Sequence, residues 1–144
     1  MEIKQLDKVG LVARSEEARA ATELQQRQQL VQQSQTRLGQ LEQFRSEYEA
    51  RLQGMSNAGI DARQLSDYRR FLANLNDAIN QQGNEVAQGE AKLVEGRDEL
   101  KDRSLRRGSL DELVSRTRAS LARESVRIEQ LQSDERSMQR YESE

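Results

Sequence analysis

Cysteine, histidine, proline and tryptophan are all missing from this 144-residue chain, and only five residues are aromatic. Without cysteine there is no disulfide framework, thiol nucleophile or thiolate metal site. Without histidine the commonest acid/base and metal ligand is gone. Average usage of about 5% would give roughly seven prolines in this length, so their absence marks uninterrupted helix. The charge of one sign is also missing: 23 Lys+Arg stand against 25 Asp+Glu, a net charge of −2. No general basic field therefore draws the chain to nucleic acid, and no nucleic-acid partner is expected. No apolar run approaches the roughly 20 residues that span a bilayer, so no direct membrane insertion is expected. The N-terminal MEIKQLD lacks the apolar core of a signal peptide. Together these absences predict a soluble, intracellular, mostly helical protein that is not an enzyme, with no cofactor and no metal.

What is present is helix-forming. Ala, Glu, Lys, Leu and Arg make up 70 residues, nearly half the chain, the composition of a coiled coil or long helix. Leu, Ile, Val and Phe total only 30, too few for a thick globular core. Apolar residues recur every three and four positions. In the first segment one heptad position reads Ile3, Gly10, Glu17, Leu24, Val31, Leu38, Arg45, Leu52. Its companion reads Leu6, Ala13, Ala20, Arg27, Ser34, Leu41, Tyr48, Met55. The polar exceptions cluster early, which predicts a looser N-terminal half. The second segment is more regular: Leu65, Leu72, Ile79, Val86, Leu93, Leu100, Arg107, Val114, Leu121, Ile128, Glu135 keep one position without a skipped beat. A strict seven-residue repeat of this length predicts a left-handed supercoil.

Between the segments lies GMSNAG at residues 54–59, the one stretch rich in helix breakers. Gly54 or Asn57 is expected to end the first helix in the left-handed conformation. Asp61 suits the N-cap of the second, with Gln64 in the capping-box position and Ile60 and Leu65 as a hydrophobic staple. So short a loop makes the helices antiparallel neighbours. The predicted fold is all-α: two long helices in an antiparallel coiled-coil hairpin forming a single domain over 1–144. Helix 1 covers about 3–55, the turn about 56–60 and helix 2 about 61–138.

Opposing Leu52 to Tyr68 makes facing seam numbers total about 120. That register sets Val31 against Gly89 and Leu24 against Gly96, large against small, and Glu17 against Arg103. It leaves residues 118–144 overhanging or frayed, although Leu121, Ile128, Leu131 and Met138 keep the seam pattern. A seam without a partner implies another subunit, another protein or fraying. Gly108 could stop helix 2 ahead of a Ser-x-x-Glu box at 109–112, but the heptad runs through in phase, which favours a continuous helix. Residues 101–128 carry eight Lys/Arg against four Asp/Glu; they serve solubility or face an acidic partner.

Catalysis needs convergent groups in a pocket that excludes water, which two helices do not make. Carboxylate pairs such as Glu95 and Glu99 read as a solvated face. The aromatics are more informative. Phe44, Tyr48, Tyr68 and Phe71 flank the turn, with Tyr48 and Tyr68 on the seam and Phe44 and Phe71 on one edge of it. That edge brings Arg37, Leu41, Phe44 and Tyr48 beside Gln82, Ala78, Leu75 and Phe71. Rings there either shield the seam or anchor a partner, since aromatics dominate binding hot spots.

The run Leu38-x-x-Leu41-x-x-Phe44-x-x-x-Tyr48-x-x-x-Leu52, then Gly59, then Leu65-x-x-Tyr68-x-x-Phe71-Leu72-x-x-Leu75-x-x-x-Ile79-x-x-Gln82 resembles the FliJ family, coiled-coil components of the flagellar type III export apparatus. The resemblance is best over residues 36–86. It implies a hairpin similar to the gamma (central stalk) subunit of rotary ATPases. It implies binding to the hexameric flagellar export ATPase, coupling of that ring to the cytoplasmic part of the export gate membrane protein, and contact with export chaperones. It implies a monomer in the cytoplasm, peripherally associated with the inner membrane at the flagellar base. Carried over by position, the gate-binding residues are Arg37, Leu41, Phe44, Tyr48, Phe71, Leu75, Ala78 and Gln82; Arg37 and Gln82 depart from the commoner family choices. The end carrying both termini would enter the ATPase ring. The competing readings are a stalk protein of a virulence-type secretion system, a structural coiled coil and a helical chaperone unrelated to export.

Overall fold

The computed structural model describes residues 2–143. It holds two helices, α1 (Ile3–Ala58, 56 residues) and α2 (Ala62–Ser143, 82 residues). They pack against each other, giving the all-α helical hairpin that the heptads predict. The chain divides into two compact units. One, Ala20–Leu100, contains the turn; the other combines Met1–Arg19 with Lys101–Glu144.

In the turn unit, helix α1 ends three residues later than its last seam methionine. Gly54 and Asn57 remain helical, and the residue with positive φ is Gly59 (84°). This corrects the expected stop. The next residues carry the reason: Gly59 N–H donates to Ser56 O at 3.3 Å, and the chain then turns directly into Ile60 and Asp61. Only glycine takes that backbone without steric cost. Asp61 caps α2 as its sequence position implies. Its Oδ1 accepts from the backbone N–H of Arg63 at 2.8 Å and of Gln64 at 3.0 Å. Two of the donors left bare at a helix start are thereby satisfied.

The seam of this unit follows the predicted register. A Cβ placed on Gly89 would lie 3.1 Å from Val31 Cγ2, and one on Gly96 would lie 3.3 Å from Leu24 Cδ1. These are the two large-against-small layers. Glycine here removes the atom that would hold the helices apart. Gln82 is buried at 6% exposure, and its Nε2 donates to the Ser34 carbonyl at 3.1 Å, so its burial leaves no bare amide.

In the terminal unit Leu6 is buried together with two small residues, Ala13 and Gly10. With Ala20 and Val31 in the turn unit, α1 supplies four of the six buried apolar side chains among the described residues, none of them beyond residue 31. The N-terminal half is therefore not the looser one. Alanine and glycine let backbones approach closely, which a count of large apolar residues misses.

Ion pairs line the same unit. Arg103 meets Glu16 at 3.0 Å and Arg106 meets it at 3.6 Å. Arg107 meets Glu17 at 3.0 Å and Asp111 at 3.3 Å. Arg14 reaches Asp111 at 3.2 Å, and Arg118 reaches Asp7 at 2.9 Å. Glu17 thus takes Arg107, one turn beyond the expected Arg103. Side chains lean toward their own helix N-terminus, so antiparallel pairs meet from positions C-terminal to the level one. The side-chain hydrogen bond to Glu17, then that to Asp111, raises the Arg107 pKa further above its ordinary value. The basic stretch at 101–128 does have an acidic partner, and much of it is α1 of the same chain. Helix α2 runs unbroken through Gly108. It remains helical to Ser143, beyond the expected end at 138, and residues 118–143 are all exposed.

Two stability outcomes follow from these contacts. Gly83→Ala adds a methyl into open space and should stabilise by up to about 1 kcal/mol through helix propensity. Gly89→Ala should gain less or lose outright, because β-branched Val31 cannot step aside freely. Urea denaturation of both variants measures the gap. Ile79→Ala removes a side chain exposed by only 7% and should cost about 2–4 kcal/mol by the same measurement.

Candidate functional site

Four aromatic rings gather beside the turn, in the unit Ala20–Leu100. Helical spacing sets Phe44 and Tyr48 one turn apart on α1, with centroids 6.1 Å apart. The antiparallel register brings Tyr68 and Phe71 of α2 against them. Tyr48 lies 4.4 Å from Phe71 and 5.0 Å from Tyr68, and Phe44 meets Phe71 edge-on at 6.1 Å and 72°. The edge-on Phe44–Phe71 contact is a favoured arrangement, and the three contacts of Tyr48 are tilted at 37–39°.

The eight predicted site residues take three different places. Phe44 and Phe71 are exposed, at 44% and 40%, and Arg37 is exposed on α1. Leu41, Tyr48 and Ala78 are half-buried beside them. Leu75 and Gln82 are buried at 7% and 6%. Those two lie on the seam and support the others from beneath, so the surface the stripe presents is formed by the remaining six. Tyr68, assigned from the heptad to the seam, joins the ring cluster as well. Its spacing of three from Phe71 was the available signal.

The other edge of the hairpin differs in chemistry. There Arg45 Nη1 donates to Asn76 Oδ1 at 3.2 Å. The aromatic face is therefore one-sided: rings on one flank, polar cross-helix bonding on the other. Apolar area of this kind, carried on helices with Arg37 exposed beside it, suits the binding of a protein surface. Among the described residues no large side chain is fully buried, no group of acidic side chains is placed to hold a metal ion, and no helix is long and apolar enough to cross a membrane.

No curated protein and no solved structure matches the chain significantly. A family model does, that of the flagellar FliJ protein, and it matches residues 1–144. Full-length agreement goes beyond residues 36–86, where the aromatic pattern lies, and takes in the exposed end of α2. The chain belongs to the FliJ family and is a component of the flagellar type III export apparatus.

Proposed function

We propose that this protein is a non-enzymatic, stalk-like adaptor that links the hexameric export ATPase to the export gate. The observation that carries the reading is the half-exposed ring pair, Phe44 and Phe71, held rigidly at one flank of the turn unit. A ring that is packed on one side and open on the other loses little side-chain entropy on binding, which is what makes aromatic anchors effective. The stripe of Arg37, Leu41, Phe44, Tyr48, Phe71, Leu75, Ala78 and Gln82 binds the cytoplasmic part of the gate membrane protein. Arg37 supplies a charge at its rim, and buried Leu75 and Gln82 fix its shape.

The terminal unit takes the ATPase. Its exposed α2 residues 119–143 continue the seam pattern without α1 opposite them, and the ATPase ring covers them. Export chaperones dock on the same protein. It works in the cytoplasm, associated peripherally with the inner membrane at the flagellar base. This arrangement uses no reaction within the chain: it joins two machines through two surfaces.

The double change Phe44→Ala with Phe71→Ala tests the gate surface. Each ring is partly exposed already, so the fold should lose about 1–2 kcal/mol per site, less than Ile79→Ala. Gate binding should weaken by about 2 kcal/mol or more, roughly thirtyfold or beyond in Kd. Near-native helicity with lost gate capture and poor motility is the expected result. An early melt with unchanged gate affinity would make the rings ordinary packing. A chain ending at residue 118 tests the other surface. It should keep the hairpin and the gate, and stimulate the ATPase less than the full chain does. Equal stimulation would move the ATPase contact elsewhere.

A further inference from the structure

Leu121, Ile128, Leu131 and Met138 are 53%, 45%, 55% and 66% exposed on one continuous helix. They hold the two seam positions of the heptad that is buried earlier in the chain. Their spacing permits a test that composition does not: whether this stretch is complementary to itself.

The hairpin supplies the rule. Facing seam residues have numbers that total 120, as in the contacts of Val31 with Gly89 and Leu24 with Gly96. On one flanking edge Glu16 reaches Arg106, an edge position, at a total two higher, and also the seam-position Arg103 at a total one lower. The other pairs at a total five higher, as Arg14 with Asp111 and Asp7 with Arg118. Transferred to two antiparallel copies of residues 118–143, the same rule has one register that uses all four apolar residues. Leu121 then faces Met138 of the second copy, and Ile128 faces Leu131 of the second copy. Symmetry repeats both layers. The first edge then brings Arg127 to Asp134 of the second copy, twice, and Ser120 to Tyr141. The other edge brings Gln132 to Gln132 of the second copy.

We propose that the overhanging end of α2 pairs antiparallel with a second copy of this chain, through Leu121, Ile128, Leu131 and Met138, with Arg127 and Asp134 fixing the register. The charges select this pairing over its rivals. A one-heptad shift puts Ile128 against Glu124 or Leu131 against Glu135. Parallel pairing sets Arg127 beside Gln132 and Asp134 beside Gln139, with no opposite charge across the seam. The register carries a cost as well: Glu124 faces Glu135 of the second copy, twice. Arg127 already holds Glu124 at 2.8 Å and has donors to spare for Asp134, which offsets part of that repulsion. Four apolar layers set against two acidic ones give a weak, reversible dimer, so the monomer expected from the sequence is the dilute form. The ATPase reading gives this same face to the ring, so the second copy occupies it in the free chain and the ring displaces that copy; mass tests the pairing and stimulation tests the ring contact.

Sedimentation equilibrium of the full chain at low salt is the first test. The mass should rise with concentration from one 16.6 kDa chain toward two. Arg127→Asp, and separately Asp134→Arg, should each weaken association at least about fivefold, since two attractions become two repulsions. The double exchange should restore it. Glu135→Leu should tighten it by removing the acidic layer. Because the chain has no cysteine, Gln132→Cys should cross-link to itself under mild oxidation, and Ser133→Cys, on the outward face, should not. A mass fixed at one chain across the range overturns the proposal. So does association indifferent to both charge reversals, or cross-linking equal at 132 and 133.

Discussion

Every buried residue among those described belongs to a seam two positions wide, and that narrowness constrains everything else. A pair of helices has no interior beyond their line of contact, so each layer buries one or two side chains and leaves the rest wet. Among the described residues the buried apolar side chains are Leu6, Ala13, Ala20, Val31, Leu75 and Ile79, and no large side chain is fully buried. Stability must then come from the number of layers and from how closely the backbones approach. That explains why alanine and glycine occupy some of the deepest positions. Gly89 and Gly96 give up helix propensity so that Val31 and Leu24 can sit down against the opposite backbone.

Electrostatics does on the flanks what packing does on the seam. The cross-helix pairs from Asp7 to Glu17 on α1 and from Arg103 to Arg118 on α2 are each solvent-accessible and individually worth little. Their value lies in discrimination. A slip by one heptad would break all of them at once, and a parallel arrangement would not form them. Glu16 and Glu17 illustrate this well: neighbours in sequence, they face opposite flanks of the groove and take Arg103 with Arg106, and Arg107, respectively.

Much of this was legible in the sequence because a heptad is a geometric statement. Helix number, direction, the Asp61 cap and the facing of Val31 with Gly89 and Leu24 with Gly96 all followed from spacing. What escaped had a common physical cause. Counting Gly10 among the seam exceptions undervalued close approach. Pairing Glu17 with Arg103 by level ignored the backward lean of side chains. Choosing Gly54 or Asn57 as the helix stop neglected that a helix continues until hydrogen bonding demands otherwise, which here is Gly59. In the candidate site, the ring cluster was visible as two aromatic pairs across a turn. Leu75 and Gln82 share the heptad position of Tyr68 and Gly89, so their burial on the seam was legible too; that Gln82 would satisfy its amide on the Ser34 carbonyl was not, because spacing does not show hydrogen-bond partners.

Gly59, whose φ is positive, has a mechanical consequence. Within the turn unit each layer touches only the layers next to it, as in a repeat array, so opening can start at one end and spread like a zipper. Gly59 closes that zipper at the turn. It sets the local concentration of one helix around the other, and a strained residue there would add its cost once to every state in which the loop is shut. A turn of three residues thus acts as the clasp from which pairing propagates, and the aromatic cluster just beyond it forms the first teeth to engage.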